Sequence, residues 1–220
     1  MLSCQRASLA GMTKIENIMK TKVKICGITT EQDAKLALSL GADFIGFIFH
    51  EASARHITYE QAEEIMIACN YPSAIGIFIN QSKEEVEDVA RRLKLWGVQL
   101  YQDQTILSST FKIIRVIRVK DQKDLDKIAT FKKTYPTDYI LLDAYHPSQM
   151  GGSGQTFDWS LLPADLSHCF LSGGINIRNV KQALAQHPFA IDLSSGVEST
   201  PGKKDPDKLT LLFKEIHHEK

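Results

Sequence analysis

The sequence predicts an α/β fold: a single closed (β/α)8 barrel, the TIM-barrel architecture, preceded by a short N-terminal extension. Three observations predict it. Eight short apolar, β-branched runs recur along the 220 residues, and the segments between them carry helix-start and helix-stop signals. The runs are mostly continuous rather than alternating, the pattern of strands buried on both faces of a parallel sheet. Strand–helix alternation implies parallel pairing through right-handed crossovers. Eight such units in about 200 residues fit a closed barrel. An open doubly wound sheet, the competing arrangement, would carry a G-x-G-x-x-G turn after its first strand; that turn here reads Cys26-Gly27-Ile28-Thr29.

The elements follow in order. The first run is Val23–Cys26, and the helix after Thr30 stops at Gly41, a residue suited to a left-handed cap. The second run, Phe44–Phe49, precedes Thr58-Tyr59-Glu60-Gln61, a capping-box pattern, with Ala62, Ile65, Met66 and Cys69 at helical spacing behind it. The third, Ala74–Ile79, precedes a second such pattern, Ser82-Lys83-Glu84-Glu85, backed by Val86, Val89, Ala90 and Leu93. Val98–Leu100, Ile113–Ile117, Tyr139–Leu142, Cys169–Leu171 and Ala190–Leu193 complete the eight. Gln102–Thr110 and 157–162 offer only weak fourth and sixth helices. The last helix has Asp205 as cap and Pro206 at its first position, followed by Leu209, Leu212, Phe213 and Ile216. Residues 19–220 form the barrel, and residues 1–18 are expected to be a disordered or untranslated extension, since termini not tied down rarely order.

Charge narrows the function classes. Lys and Arg total 26 and Asp and Glu total 26, with 43% hydrophobic residues. That balance argues against a polybasic nucleic-acid binder and an acidic disordered segment, though a local anion pocket needs only one or two cations. No apolar stretch is long enough for a membrane helix. The four cysteines, Cys4, Cys26, Cys69 and Cys169, form no C-x-x-C pair and no zinc-like spacing, which suits a reducing cytoplasm and leaves no catalytic metal set.

Barrel active sites lie at the C-terminal ends of the strands, so polar residues that end an apolar run are the candidates. Cys26 ends the first run and is followed by Gly27, which lets the backbone turn closely over a ligand. Asp143 ends the sixth, directly after four apolar residues, where partial burial would raise its pKa toward general-acid work. Asp192 lies inside the eighth run, either paired in the barrel interior or facing a ligand. Ser172-Gly173-Gly174 and Ser194-Ser195-Gly196 are glycine-rich turns after the seventh and eighth runs, where barrels hold phosphate on backbone N–H groups. Gly151-Gly152-Ser153-Gly154 follows Asp143 and reads as a lid or simply a floppy loop, the lid favoured because it adjoins the candidate acid, with His146 the histidine nearest the site. Arg55, in the second strand–helix loop, is suited to hold a carboxylate bidentately.

Four stretches then resemble a known family in order and spacing. They are Lys24-Ile25-Cys26-Gly27-Ile28-Thr29; Gly151-Gly152-Ser153-Gly154 through Thr156-Phe157-Asp158-Trp159; Leu171-Ser172-Gly173-Gly174; and Asp192-Leu193-Ser194-Ser195-Gly196-Val197-Glu198 with Pro201-Gly202-Lys203-Lys204-Asp205. Together, over about residues 20–216, they resemble phosphoribosylanthranilate isomerase. The resemblance implies tryptophan biosynthesis: an Amadori rearrangement of N-(5-phosphoribosyl)anthranilate, without cofactor, on a (β/α)8 barrel that is a monomer or a homodimer. It implies Asp143 as general acid, Cys26 as base, Arg55 on the anthranilate carboxylate, and Asp192 lining the substrate site. Gly173, Gly174, Ser194, Ser195 and Gly196 would form the phosphate cradle.

A thiol serves as base only where its surroundings stabilise the thiolate. The sequence departs from the family pattern where Tyr101-Gln102 replace the usual His-Gly, and where the loop His50–Arg55 lacks a common proline. Related phosphosugar barrels would show Lys and Glu, or His and Asp, at the strand ends. A phospho-ligand binding barrel without activity would have little reason to keep both Cys26 and Asp143.

Overall fold

The computed structural model describes residues 20–102, 106, 110–145 and 156–217. Eight parallel strands close on themselves: β1 (Lys22–Cys26), β2 (Phe44–Ile48), β3 (Ala74–Phe78), β4 (Gly97–Leu100), β5 (Lys112–Val119), β6 (Tyr139–Ala144), β7 (Cys169–Leu171) and β8 (Ala190–Leu193). Closure is made by β8 against β1, with Lys24 in register with Asp192. The expected runs and the strands agree to within one or two residues.

The helices begin and end where side chains satisfy the free backbone groups. Thr30 accepts from the Asp33 N–H at the start of α1 (Glu31–Leu40), and Gly41 ends it at φ 108°. Thr58 and Gln61 form both halves of a capping box on α2 (Tyr59–Ala68), with Cys69 as its C-cap rather than on its face. Ser82 caps α3 (Lys83–Arg92), but only half of that box forms: the Glu85 carboxylate accepts from the Tyr59 hydroxyl at 2.6 Å instead of turning back. The helices α4 (Gln122–Thr134), α5 (Val180–Leu184) and α6 (Pro206–His217) follow, and Asp205 accepts from the Asp207 and Lys208 N–H groups ahead of the last. The weak sixth helix is a single 3-10 turn, Trp159–Leu161. Most of the 102–110 segment, the extension over residues 1–18, His146 and the glycine cluster 151–154 lie outside the described residues.

Alternation along each strand splits the core in two. Outward side chains such as Val23, Ile25, Ile45 and Phe47 pack under the helices with Ala34, Ala62, Met66, Leu209 and Phe213. Inward side chains fill the barrel in layers. The lower layer is apolar: Phe44, Ile75, Ile114, Leu141, Phe170 and Ala190, backed by Trp96, Tyr139 and Phe189. The rings of Phe44 and Trp96 lie 4.6 Å apart, and those of Tyr139 and Phe189 4.5 Å. Above this floor the interior becomes polar, and Lys24, Gln99, Asp143 and Asp192 are buried there. A short antiparallel hairpin, β9 (Glu198–Thr200) and β10 (Lys203–Lys204), follows β8 and leads into α6.

Candidate active site

A cleft of about 580 Å3 opens at the C-terminal ends of the strands. Cys26, Arg55, Asp143, Asp192 and Ser194 all line it, together with Gln99, Tyr101 and Ser172. Four of the five expected chemical positions, from β1, the β2–α2 loop, β6 and β8, therefore meet at one mouth. The fifth is the glycine-rich pair of turns. Gly173 (φ 88°) and Gly174 (φ 66°) form the first, and Ser195 and Gly196 sit in a 3-10 turn at Ser195–Val197. These glycines and Ser195 adjoin the cleft rather than line it. The two turns are packed face to face: a Cβ on Gly196 would stand 2.2 Å from the Ile175 carbonyl oxygen. A Cβ on Gly173 would stand 2.6 Å from the Ala144 nitrogen, so both positions exclude side chains.

Asp143 is 3% exposed. Burial, reinforced by the Asp192 charge, pushes its carboxyl up to about 6, against the opposing pull of Arg118. Arg118 stands beside it in register on β5 and lies 4.8 Å over the Tyr145 ring. The sequence expectation of a raised acid is met by desolvation, the cause that was expected.

Cys26 departs from the simple expectation of a stabilised thiolate. Burial pushes its thiol above the ordinary value, and Lys24 opposes that rise with a charge and a hydrogen bond. Lys24 itself is fully buried, two residues before Cys26 on the same inward face of β1. Its ammonium donates to Gln99 Oε1 at 2.8 Å and to Asp192 Oδ2 at 3.3 Å. Asp192 also accepts from Ser172 Oγ at 3.4 Å, while its buried Oδ1 has no hydrogen-bond partner among the described residues. Asp192 thus fills both roles left open for it: it is paired in the interior, and it presents a spare acceptor at the cleft.

Arg55 does not wait with a free guanidinium. Its Nε donates to Glu198 Oε1 at 2.9 Å and its Nη2 to Glu198 Oε2 at 2.7 Å, a bidentate pair. Glu198 also accepts from Lys204 Nζ at 2.7 Å, and that same ammonium donates to the Cys26 carbonyl at 2.6 Å. Burial disfavours the Glu198 charge, but Arg55 and Lys204 outweigh it and hold its pKa below the usual value. The β9–β10 hairpin therefore ties the arginine loop to the end of β1. Gly27 (φ 73°) makes the approach possible, since a Cβ there would lie 2.7 Å from Arg55 Cδ.

Lys24, Gln99, Glu198 and Lys204 build the site's charge and hydrogen-bond network and were not singled out from the sequence, whereas Tyr101, marked there as a departure, does line the cleft. Lys24 had a signal: a charge inside an apolar strand run, at the same parity as the candidate base. Glu198 and Lys204 had none beyond their place in a recognisable motif, because their burial depends on the fold of the hairpin. Among the described residues no group of three or more His, Cys, Asp or Glu side chains converges as a metal site, and no helix is long and apolar enough to cross a membrane.

A parallel barrel whose rim brings together a buried carboxyl, a buried thiol and anchored cations defines an enzyme of the acid–base class. The chain belongs to the N-(5'-phosphoribosyl)anthranilate isomerase family, whose model matches residues 23–215. It is 40% identical over 196 residues to the protein of that name from Trichlorobacter lovleyi, covering 86% of this chain and 94% of the relative. The Thermotoga maritima protein is 38% identical over 203 residues, covering 88% and 97%. The crystal structure of the Thermotoga maritima isomerase superimposes with a TM-score of 0.80 at 35% identity, covering 90% of this chain and 99% of that one. A structure of a phosphoribosyl anthranilate isomerase in complex with reduced 1-(o-carboxyphenylamino)-1-deoxyribulose 5-phosphate superimposes with a TM-score of 0.75 at 32% identity, covering 90% and 99%.

Proposed function

We propose that this chain converts N-(5-phosphoribosyl)anthranilate into 1-(2-carboxyphenylamino)-1-deoxyribulose 5-phosphate, the isomerisation of tryptophan biosynthesis, with Asp143 as acid and Cys26 as base. The observation that carries the assignment of roles is the pair itself: a carboxyl pushed up to about 6 and a thiol beside a buried ammonium, both lining one cleft.

Asp143 gives its proton to the furanose ring oxygen. The C1–O bond breaks, and the anilino nitrogen supplies the electron pair that forms a C1=N iminium. The Cys26 thiolate then takes the C2 proton. The C–H pair becomes a C1=C2 bond and the iminium nitrogen takes up its π pair, giving an enolamine. Tautomerisation of the enol to the C2 ketone completes the shift. Ring opening and enolisation are each driven by a proton transfer, the work for which a positioned acid and base suffice.

Recognition follows from the remaining groups. Arg55 uses Nε and Nη2 on Glu198 and keeps Nη1 for the anthranilate carboxylate. The unpartnered Oδ1 of Asp192 accepts from a sugar hydroxyl. The turns at Gly173–Gly174 and Ser194–Gly196 hold the phosphate on backbone N–H groups. Tyr101, half-buried, its phenol pushed well up by desolvation and the Asp143 charge, forms the pocket wall where the resemblance leads one to expect histidine. Free Cys26, Cys69 and Cys169 support a reducing cytoplasm as the place of action. A related Thermotoga maritima enzyme is dimeric, and a monomer or homodimer is expected here.

The test is loss of phosphoribosylanthranilate fluorescence with purified protein. Cys26→Ala and Asp143→Ala are each expected to lose most turnover while keeping the circular dichroism of the parent. Full activity in either variant removes that residue from the mechanism, and no turnover in the parent removes the function.

A further inference from the structure

The buried lysine of β1 is the group that the mechanism above leaves without a task. A lysine is almost never fully buried unless it is paired, and its ammonium has three donors to place. Two go to Gln99 and Asp192. The third is left for the side of Cys26, which stands two residues on along the same inward face of β1. A glycine makes this approach possible: a Cβ on Gly46 would meet Cys26 Sγ at 3.0 Å and Lys24 Cε at 3.1 Å. Sulfur and lysine stem thus share the space over one residue of β2.

We propose that Lys24 is a positioning residue for the base: clamped by Gln99 and Asp192 beneath the cleft, it fixes a cation against Cys26 Sγ and so sustains the thiolate that takes the C2 proton. This rests on the reading of Cys26 as base given above. On the free enzyme the thiol proton leaves to water, and the negative sulfur exchanges that proton for the Lys24 charge. Gln99 from β4 across the barrel and Asp192 from the adjoining β8 hold the ammonium between them, so the cation stays in place when the sulfur is neutral again after proton uptake. Burial works against the charge on Lys24, but Asp192 and Cys26 outweigh it and keep the ammonium protonated. The other charged and titratable groups that face Cys26 are Asp192 on β8, Asp143 on β6, Tyr101 after β4, Arg55 on the β2–α2 loop, and Lys204 of the hairpin. Lys204 is committed to the Cys26 carbonyl and Glu198, and Arg55 to Glu198, which leaves Lys24 as the cation that meets the sulfur.

The experiment is the pH dependence of Cys26 alkylation by iodoacetamide in the folded, ligand-free protein, read by peptide mass mapping. Lys24→Met is expected to raise the midpoint by at least about one pH unit, the size of shift that one adjacent charge produces. It is also expected to lower kcat near neutrality by about tenfold with little change in KM, the deficit narrowing only once the pH passes the parent's alkylation midpoint. An unchanged midpoint in folded Lys24→Met overturns the proposal. Should the single variant fail to fold because Asp192 is left unpaired, Lys24→Met/Asp192→Asn is compared with Asp192→Asn alone: a higher midpoint in the double variant supports the proposal, and equal midpoints overturn it. Alkylation needs no turnover, so a parent that fails to isomerise substrate defeats the proposed function without deciding this test.

Discussion

Asp143→Asn is expected to make the fold more stable as it abolishes the reaction. Unfolded, an aspartate titrates near 3.8; in the cleft this one titrates at about 6. The native state therefore holds the proton more tightly than the unfolded chain across that window, and stability falls as pH rises through it. Below the unfolded value both states are protonated and the penalty vanishes. Above the folded value the penalty is complete, and about two pH units at 1.36 kcal/mol each give ~3 kcal/mol. Asparagine keeps the shape and the acceptor that meets the Ala144 backbone but never ionises. Urea unfolding followed by the fluorescence of Trp96 and Trp159 is the assay, run on both proteins from pH 4 to pH 8. The variant is expected to match the parent near pH 4 and to gain up to ~3 kcal/mol by pH 8. A constant difference across that range, or a variant less stable at pH 8, refutes the argument that this carboxyl is held up by its burial.

The same value shapes catalysis. Activity requires protonated Asp143 together with Cys26 thiolate, so kcat/KM should fall tenfold per unit below about 6, where the thiolate is lost, stay level from there up to the higher Cys26 value, and fall again beyond it as protonated Asp143 runs out. Asp192 is the second contributor to the rise, so Asp192→Asn should move this acid limb to lower pH; a limb that stays put would remove Asp192 as its cause. Gly46→Ala tests the space above β2. The new methyl would crowd Cys26 Sγ at 3.0 Å and the Cys26 Cα at 3.1 Å, which should cost ~1–3 kcal/mol in urea unfolding and reduce kcat far more than it raises KM.

The barrel was legible because its strands declare themselves locally. Runs such as Phe44–Ile48 and Ala74–Phe78 are apolar throughout, and caps such as Thr58 and Asp205 satisfy the first turn whatever packs above them. The chemistry at strand ends was legible for the same reason: Asp143 stands after Leu142 with no local excuse for a carboxylate. Partnerships across the barrel were not. Lys24 and Asp192 are far apart in the chain and meet only because β8 closes on β1. The second capping box was half wrong because Glu85 found a tertiary partner, the Tyr59 hydroxyl, that no local pattern contains. Arg55 read as a free carboxylate clamp, and only the folded hairpin shows that Glu198 already occupies one edge of its guanidinium.

That hairpin has a consequence for how the protein comes into being. Cys26 and then Asp143 leave the ribosome ahead of β8 and the hairpin, so neither is surrounded by its working neighbours at that stage. Asp192, which clamps the Lys24 ammonium, and Lys204, which grips the Cys26 carbonyl, are translated after both of them. A nascent barrel halted before residue 190 carries the acid and the base but lacks β8, the hairpin and the counter-charges that they bring. Competence thus arrives with the closing seam, and an incompletely synthesised chain is left without the machinery to act on its substrate.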